Sequence, residues 1–311
     1  MAAGRALVVG TRGSRLALRQ TDLVLDLLRA RHPGLVIEVR EIRTEGDRRP
    51  GESLATIGGQ GVFVKAIEAA LIGREIDFAV HSLKDVPPEL GEGLVLAAMP
   101  PRADPRDALV TRGGATLADL APGARIGTGS ERRAVQLRAL RSDIEPVDIR
   151  GNVDSRVRKV DEGEFDAAVL AVAGLERLGL LDCAAEVFDV SAMLPAVGQG
   201  ALAVEAGAGD AELIELLSAI DDVATRAACE AERAFMQRLG GGCRLPFGAF
   251  AQIEDGALAI RGFISDASGS QTYRGELAGR PEEAEAIGTE LADVLLAQGA
   301  AELMQSPRVG L

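Results

Sequence analysis

The chain has 311 residues, with 34 Lys and Arg against 47 Asp and Glu, and a formal charge of −13 at neutral pH. That length predicts two or three domains, and 47% hydrophobic with 26% charged residues excludes wholesale disorder. Aromatic residues at 3%, with no Trp, argue together with the acidic balance against nucleic acid as a partner.

The first hundred residues alternate strand and helix signals. Ala6–Gly10 is a short apolar run that reads as a strand, and Arg15–Arg31 places Leu16, Leu23 and Leu27 at helical spacing. His32-Pro33-Gly34 breaks that helix before Leu35–Arg43 alternates as a second strand. Gly46–Ser53 reads as a loop, Val62–Ile72 as a helix, and Ile76–Val80 and Leu94–Met99 as buried strands. This alternation predicts a mostly parallel sheet with helices on its faces.

Pro100, Pro101 and Pro105 punctuate the chain, and the alternation restarts. Ala108–Thr111, Arg125–Thr128, Val147–Arg150 and Asp166–Val172 read as strands, with helices at Glu131–Arg141 and Val153–Glu162. A stretch with Pro195, Gly198 and Gly200 leads to a strand, Ala201–Glu205, and a helix, Ala211–Ile220. The remainder has a long helix (Val223–Leu239), a triple-glycine loop and strands at Phe247–Ile253, Ala257–Ile264 and Gln271–Leu277. A closing helix runs from Pro281 to about Met304. The expected fold class is α/β: one lobe from residues 1–100 with 200–220, a second from 101–199, and a small α+β domain over 221–311. No internal repeat is evident, and a crevice between the lobes is the expected ligand site.

Three cysteines (Cys183, Cys229, Cys243) form no disulfide framework in a chain this long, and two distant histidines (His32, His81) offer no metal cluster and no triad. The longest uncharged stretch, Val190–Val204, is 15 residues and is interrupted by proline and glycine, so no membrane span is expected. The apolar run near the N-terminus is too short for a signal peptide. The cytoplasm is the expected compartment.

Charge is unevenly spread. Residues 200–311 carry 18 acids and 8 bases, whereas residues 125–160 carry nine bases and five acids. A basic island in an acidic protein points to an anionic ligand, or to a helix face of solvated arginines. Thr11-Arg12-Gly13-Ser14, Ser130-Glu131-Arg132-Arg133 and Arg150-Gly151-Asn152 each sit where a strand gives way to a helix. Such junctions offer backbone N–H groups and the positive end of a helix dipole, and arginine adds a fork for carboxylate or phosphate. Ser and Thr there also serve as ordinary helix caps. No GxxxxGK[ST] loop is present.

His81-Ser82-Leu83-Lys84-Asp85-Val86-Pro87 follows a predicted strand. Its Lys-Asp pair suits either a plain ion pair or a carboxylate that steadies a cation in a crevice. Gly240-Gly241-Gly242-Cys243-Arg244 puts one thiol on a flexible loop beside a cation, which favours the thiolate. Cys183 and Cys229 read as small buried hydrophobes, and His81 as a hydrogen-bonded structural residue.

Together these segments resemble the porphobilinogen deaminase (hydroxymethylbilane synthase) family. The matching stretches are TRGSRLALRQ (11–20), GGQGVFVK (58–65), AVHSLKDVP (79–87), DPRDA (104–108), GTGSERR (127–133), RGNVDSR (150–156), LAVAGLERLGL (170–180), LPAVGQG (194–200) and GGCRLP (241–246). They follow the family's order over nearly the whole chain. The resemblance implies two lobes like those of periplasmic solute-binding proteins and a third domain carrying a dipyrromethane cofactor, joined by a thioether to Cys243. Four porphobilinogen units are then added, each losing ammonia, and the linear tetrapyrrole is released by hydrolysis. By the same matching, Asp85 is the catalytic carboxylate, and Ser82, Lys84, Thr128, Ser130, Arg132, Arg133 and Arg156 bind the cofactor. Arg12, Ser14, Gln20, Arg150, Arg177 and Gln199 line the substrate side, which Arg156 also adjoins.

The resemblance implies porphobilinogen as small-molecule partner, no metal, no membrane, no nucleic acid, and a monomer. Departures from the family pattern are Gln60 for Lys, Thr56 for a basic residue, Arg15 for Pro, Gly129 for Ser and Glu131 for an apolar residue. Gln60 therefore stays outside the candidate site. Two other readings stand beside this one: a non-catalytic two-lobed carboxylate or anion binder, and a sugar-phosphate or nucleotide transferase, which lacks a Walker loop.

Overall fold

The computed structural model describes residues 6–44, 64–240 and 245–305. β1 (Leu7–Thr11) is largely buried, and Ser14 then starts α1 (Arg15–Arg31) by accepting from the Ala17 N–H at 3.2 Å. β2 (Ile37–Glu41), α2 (Lys65–Ile72), β3 (Phe78–Ser82) and β4 (Leu94–Ala98) follow, with a single helical turn, Leu83–Asp85, directly after β3. The chain then crosses to β5 (Asp107–Thr111), β6 (Arg125–Gly127), α3 (Glu131–Leu140), β7 (Glu145–Val147), α4 (Val153–Asp161), β8 (Ala167–Ala171), α5 (Val172–Arg177) and β9 (Ala184–Val187). It returns as β10 (Leu202–Gly207) and α6 (Ala211–Ser218).

The first sheet has the order β2-β1-β3-β10-β4 and the second β7-β6-β8-β5-β9. In each, three parallel strands are followed by one antiparallel strand, and the outer strand is antiparallel to that one. The expectation of mostly parallel sheets is therefore corrected to mixed ones. The reason is connectivity: β5 and β10 each arrive from the other lobe, enter at the cleft edge, and run opposite to strands that point toward it. β3 and β8 are buried on both faces, as the apolar runs Phe78–Val80 and Ala167–Ala171 require. Phe78 and Val80 pack with Leu25 and Leu28 of α1 and Leu217 of α6, while Ala79 packs with Ile67 and Leu71 of α2.

The third unit comprises α7 (Val223–Arg238), an antiparallel meander of β11 (Phe247–Glu254), β12 (Ala257–Ser265) and β13 (Thr272–Gly279), then α8 (Ala284–Leu295) and α9 (Ala301–Gln305). Ala231 and Phe235 of α7 and Leu291 and Leu295 of α8 share one core with Leu258, Ile260 and Ile264 of β12. The expected unbroken closing helix is corrected: it widens over 296–300 and kinks at Gly299, whose φ is +127°. A side chain there would collide with the Tyr273 hydroxyl, 2.6 Å from a Cβ.

Glu232 of α7 ties the three units together. Its fully buried carboxylate accepts from Arg102 on the outward crossing (2.6 and 3.2 Å), from the Gly198 N–H on the return crossing (2.7 Å) and from the Ala251 N–H of β11 (2.8 Å). No helix among the described residues is long and apolar enough to cross a membrane.

Candidate active site

The ends of β3 and β8 and the helices α1, α3, α4 and α5 build the site. β3 is longer at its C-terminal end than periodicity predicts, so His81 and Ser82 lie within the strand, and the turn at Leu83–Asp85 follows at once. Burial of Leu83 and Val86 pins that turn, and Arg233 of α7 donates to the Val86, Pro87 and Pro88 carbonyls beyond it. Lys84 and Asp85 are thus held at the sheet edge that faces the second lobe. There, Ser130 caps α3 by accepting from the Arg133 N–H, and Thr128 accepts from the Ser130 N–H at 3.2 Å. These bonds use hydroxyl acceptors and leave each O–H as a donor.

A cavity lies between the lobes. Leu16, Gln20, Ser82 and Lys84 line it from the first lobe, Arg133, Val153, Arg156, Gly174 and Arg177 from the second, and Gly198 and Gly200 from the return crossing. Gln20 and Ser82 are hydrogen-bonded at 2.9 Å, and Lys84 donates to Gln199 Oε1 at 3.3 Å. Arg156 and Arg177 donate to the carbonyls of Gly151 (2.8 Å) and Gly200 (2.7 Å). Among the described residues Lys84, Arg156 and Arg177 have no carboxylate in an ion pair.

The electrostatics show the cost of that arrangement. Desolvation, then repulsion from Arg133, lowers Lys84 to about 8, although its side chain remains open to the cleft. Burial, then Arg133 and Arg150, lowers Arg156 to about 10, and burial lowers Arg177 to about 10. Asp85 is half-buried, makes no hydrogen bond among the described residues, and lies within electrostatic reach of Lys84 and Arg156. The cavity thus has three cations with no carboxylate ion pair among the described residues, and at its side one carboxylate without a hydrogen bond among them. That arrangement suits a ligand carrying several carboxylates and developing one positive charge.

Residues 7–215 match the family model described as "Porphobilinogen deaminase, dipyromethane cofactor binding domain", and residues 226–297 match "Porphobilinogen deaminase, C-terminal domain". This chain belongs to the porphobilinogen deaminase family. It is 49% identical over 306 residues to the porphobilinogen deaminase of Desulforudis audaxviator, covering 98% of this chain and 99% of that protein. It is 50% identical over 300 residues to that of Roseiflexus sp. (strain RS-1), covering 96% and 99%. Among solved structures, a putative methionine-binding lipoprotein from Bacillus subtilis aligns over 68% of this chain and 88% of its own, with 14% identity and a TM-score of 0.43. The deaminase is a transferase of tetrapyrrole synthesis that condenses porphobilinogen to hydroxymethylbilane on a dipyrromethane cofactor. These matches set aside both the non-catalytic binder and the sugar-phosphate or nucleotide transferase. The donor set fits the cofactor, since acetate and propionate groups supply anions for Lys84, Arg156 and Arg177, which have no carboxylate ion pair among the described residues.

The cavity lining gathers Gln20, Ser82, Lys84, Arg133, Arg156 and Arg177 from the sequence-predicted set, with Gln199 hydrogen-bonded at its edge. It does not include Arg12, Ser14, Thr128, Ser130, Arg132 or Arg150. Arg132 is buried and donates to Asp107 and to the Leu194 carbonyl, with its Nε unpaired, and Arg150 pairs with Asp148 at 2.7 Å. The expected strand Val147–Arg150 lies instead at Glu145–Val147, which leaves Arg150 on the loop beyond it. Cys243 and Gln60 lie outside the described residues. Sequence reasoning missed Asp107, although it stands in the DPRDA motif, because its partners Arg132, Arg133 and Gln199 are brought to it only by folding. It also missed α5, which carries Gly174 and Arg177 to the cavity.

Proposed function

We propose that Asp85 is the catalytic carboxylate, that Cys243 anchors the dipyrromethane, and that Lys84, Arg133, Arg156 and Arg177 hold the carboxylates of cofactor and substrate. The observation that supports this most directly is that Lys84, Arg156 and Arg177 line one inter-lobe cavity with no carboxylate ion pair among the described residues. When bound, the dipyrromethane supplies a free pyrrole carbon as the growth point. Lys84 and the arginines orient acidic side groups by charge-assisted hydrogen bonds. Asp85, which makes no hydrogen bond among the described residues, stabilises positive charge on the pyrrole nitrogen of porphobilinogen as ammonia leaves. Ser82 and Gln20, bonded to each other, present further polar atoms on the first-lobe wall. Arg12, Ser14, Thr128, Ser130, Arg132, Arg150 and Gln199 complete the reading as supports of the same anion site. The division into residues 1–100 with 200–220, 101–199 and 221–311, a monomeric state and a cytoplasmic location belong to it too.

Intact mass after incubation with porphobilinogen tests the anchor. The native chain gains a covalent adduct and Cys243→Ser does not; an adduct on the serine variant removes Cys243 from that role. Asp85→Asn is expected to lower turnover at least about 10²–10³-fold with melting temperature and adduct mass unchanged. Near-native turnover would end the case for Asp85.

A further inference from the structure

We propose that Asp107 is a positioning residue, resting on the reading above: by fixing the direction of the Gln199 amide across the lobe boundary, it holds the Lys84 ammonium beside Asp85. Asp107 opens β5 in the second lobe and is fully buried. Its Oδ1 accepts from Arg133 Nη2 (2.6 Å), Arg133 Nε (3.1 Å) and Gln199 Nε2 (2.8 Å), and its Oδ2 from Arg132 Nη2 (2.8 Å). One carboxylate therefore gathers the first turn of α3 and the return crossing.

The amide direction of Gln199 follows from its surroundings. Nε2 faces three oxygens: the Pro105 carbonyl at 2.7 Å, Asp107 Oδ1 at 2.8 Å and the Arg106 carbonyl at 3.4 Å. Turning the amide over would set Oε1 against three acceptors. Oε1 must then point the other way, where Lys84 Nζ donates to it at 3.3 Å. The result is a polar chain from Asp107 in the second lobe, through Gln199 in the crossing, to Lys84 in the first. Lys84 has no carboxylate hydrogen bond among the described residues, so this neutral oxygen is what restrains its ammonium before a ligand arrives. A counter-ion serving Arg132 and Arg133 alone would leave Gln199 without a part.

The test reads Lys84 itself. Acetic anhydride labels neutral amines, and peptide mass spectrometry follows Lys84 labelling against pH in the full chain, with cofactor loading matched by intact mass. Gln199→Met keeps side-chain volume and leaves the Asp107 ion pairs in place. It removes an acceptor from the charged lysine, so the labelling midpoint is expected to move to lower pH. A one-unit shift from about 8 gives about fivefold faster labelling at pH 7. Asp107→Asn is expected to move the midpoint the same way. Adding Gln199→Met to it is expected to move the midpoint no further, because the amide is then already released. Two shifts that simply add mark a through-space charge effect and overturn the proposal. An unchanged midpoint in Gln199→Met overturns the proposal. So does an Asp107→Asn protein that melts lower with an unaltered Lys84 profile, which marks Asp107 as a counter-ion and nothing more. Should Asp107→Asn not fold, Gln199→Met decides alone. Failure of the native chain to gain an adduct from porphobilinogen would instead sink the cofactor anchor, and the Lys84 profile would still stand on its own.

Discussion

Lys84 illustrates how a side chain can burden the folded chain that carries it. Its folded-state value, about 8, lies below the 10.5 of an unconstrained lysine. The folded chain is thus penalised for holding this proton. The penalty is full below pH 8 and fades as pH rises toward 10.5. Lys84→Met is therefore expected to raise the melting temperature of the cofactor-free chain at pH 7, with the gain vanishing near pH 10.5, while lowering cofactor retention measured by intact mass. Asp107 is the opposite case. Burial pushes its carboxyl up, yet Arg132, Arg133 and Gln199 more than offset that and hold it far below the usual carboxylate range. Its contribution is present above about pH 4 and is lost as pH falls further. Residue types and spacing singled out Lys84, Asp85 and Arg133 as candidate chemistry, and the family resemblance added Arg156. Nothing in DPRDA told Asp107 from Asp104, because Asp104 pairs locally with Arg106 while Asp107 finds partners some 25 to 92 positions away.

Elements with a capping residue and a long apolar pattern were the most legible. Ser14, Ser130 and Asp222 each accept from a backbone N–H three residues on, and the helices they start agree with the sequence reading. α5 and β9 were illegible for the opposite reason. α5 has six residues, a glycine and no side-chain cap, and β9 is Ala-Ala-Glu-Val, with Val187 its single β-branched residue and no aromatic one. α5 exists because the second lobe buries Val172–Leu175, and half-buried β9 because it pairs with β5. Close packing has its own signature in α8. A Cβ on Gly288 would lie 2.0 Å from the Ala231 carbonyl oxygen of α7, so the two helices meet backbone to backbone. Gly288→Ala is expected to destabilise the chain by about 1–3 kcal/mol, read from urea melts. Turnover at low denaturant should change little.

At the scale of the whole molecule, the two lobes repeat one plan that the sequence does not advertise: three parallel strands, an antiparallel strand from across the cleft, and an outer strand. The two crossings that exchange those strands run side by side. A Cβ on Gly200, where φ is +88°, would lie 2.4 Å from the Ala103 carbonyl oxygen. Glu232 locks both crossings to the third unit. Glu232→Ala leaves Arg102 buried and unpaired, which costs about 3–5 kcal/mol. The melting temperature should fall accordingly. The Michaelis constant should also rise, because Gly198 and Gly200 line the cavity next to that lock.

Apolar periodicity was enough, on its own, to specify alternating α/β lobes and a distinct last unit, and the matching stretches were enough to specify the family. Those features depend on residues near one another in the chain. Strand direction within each sheet, the service of Arg132 and Gln199 to Asp107, and the placement of Arg177 were decided by tertiary structure. Each requires segments from different lobes to meet, and local pattern carries no record of which distant donor will satisfy a buried carboxylate.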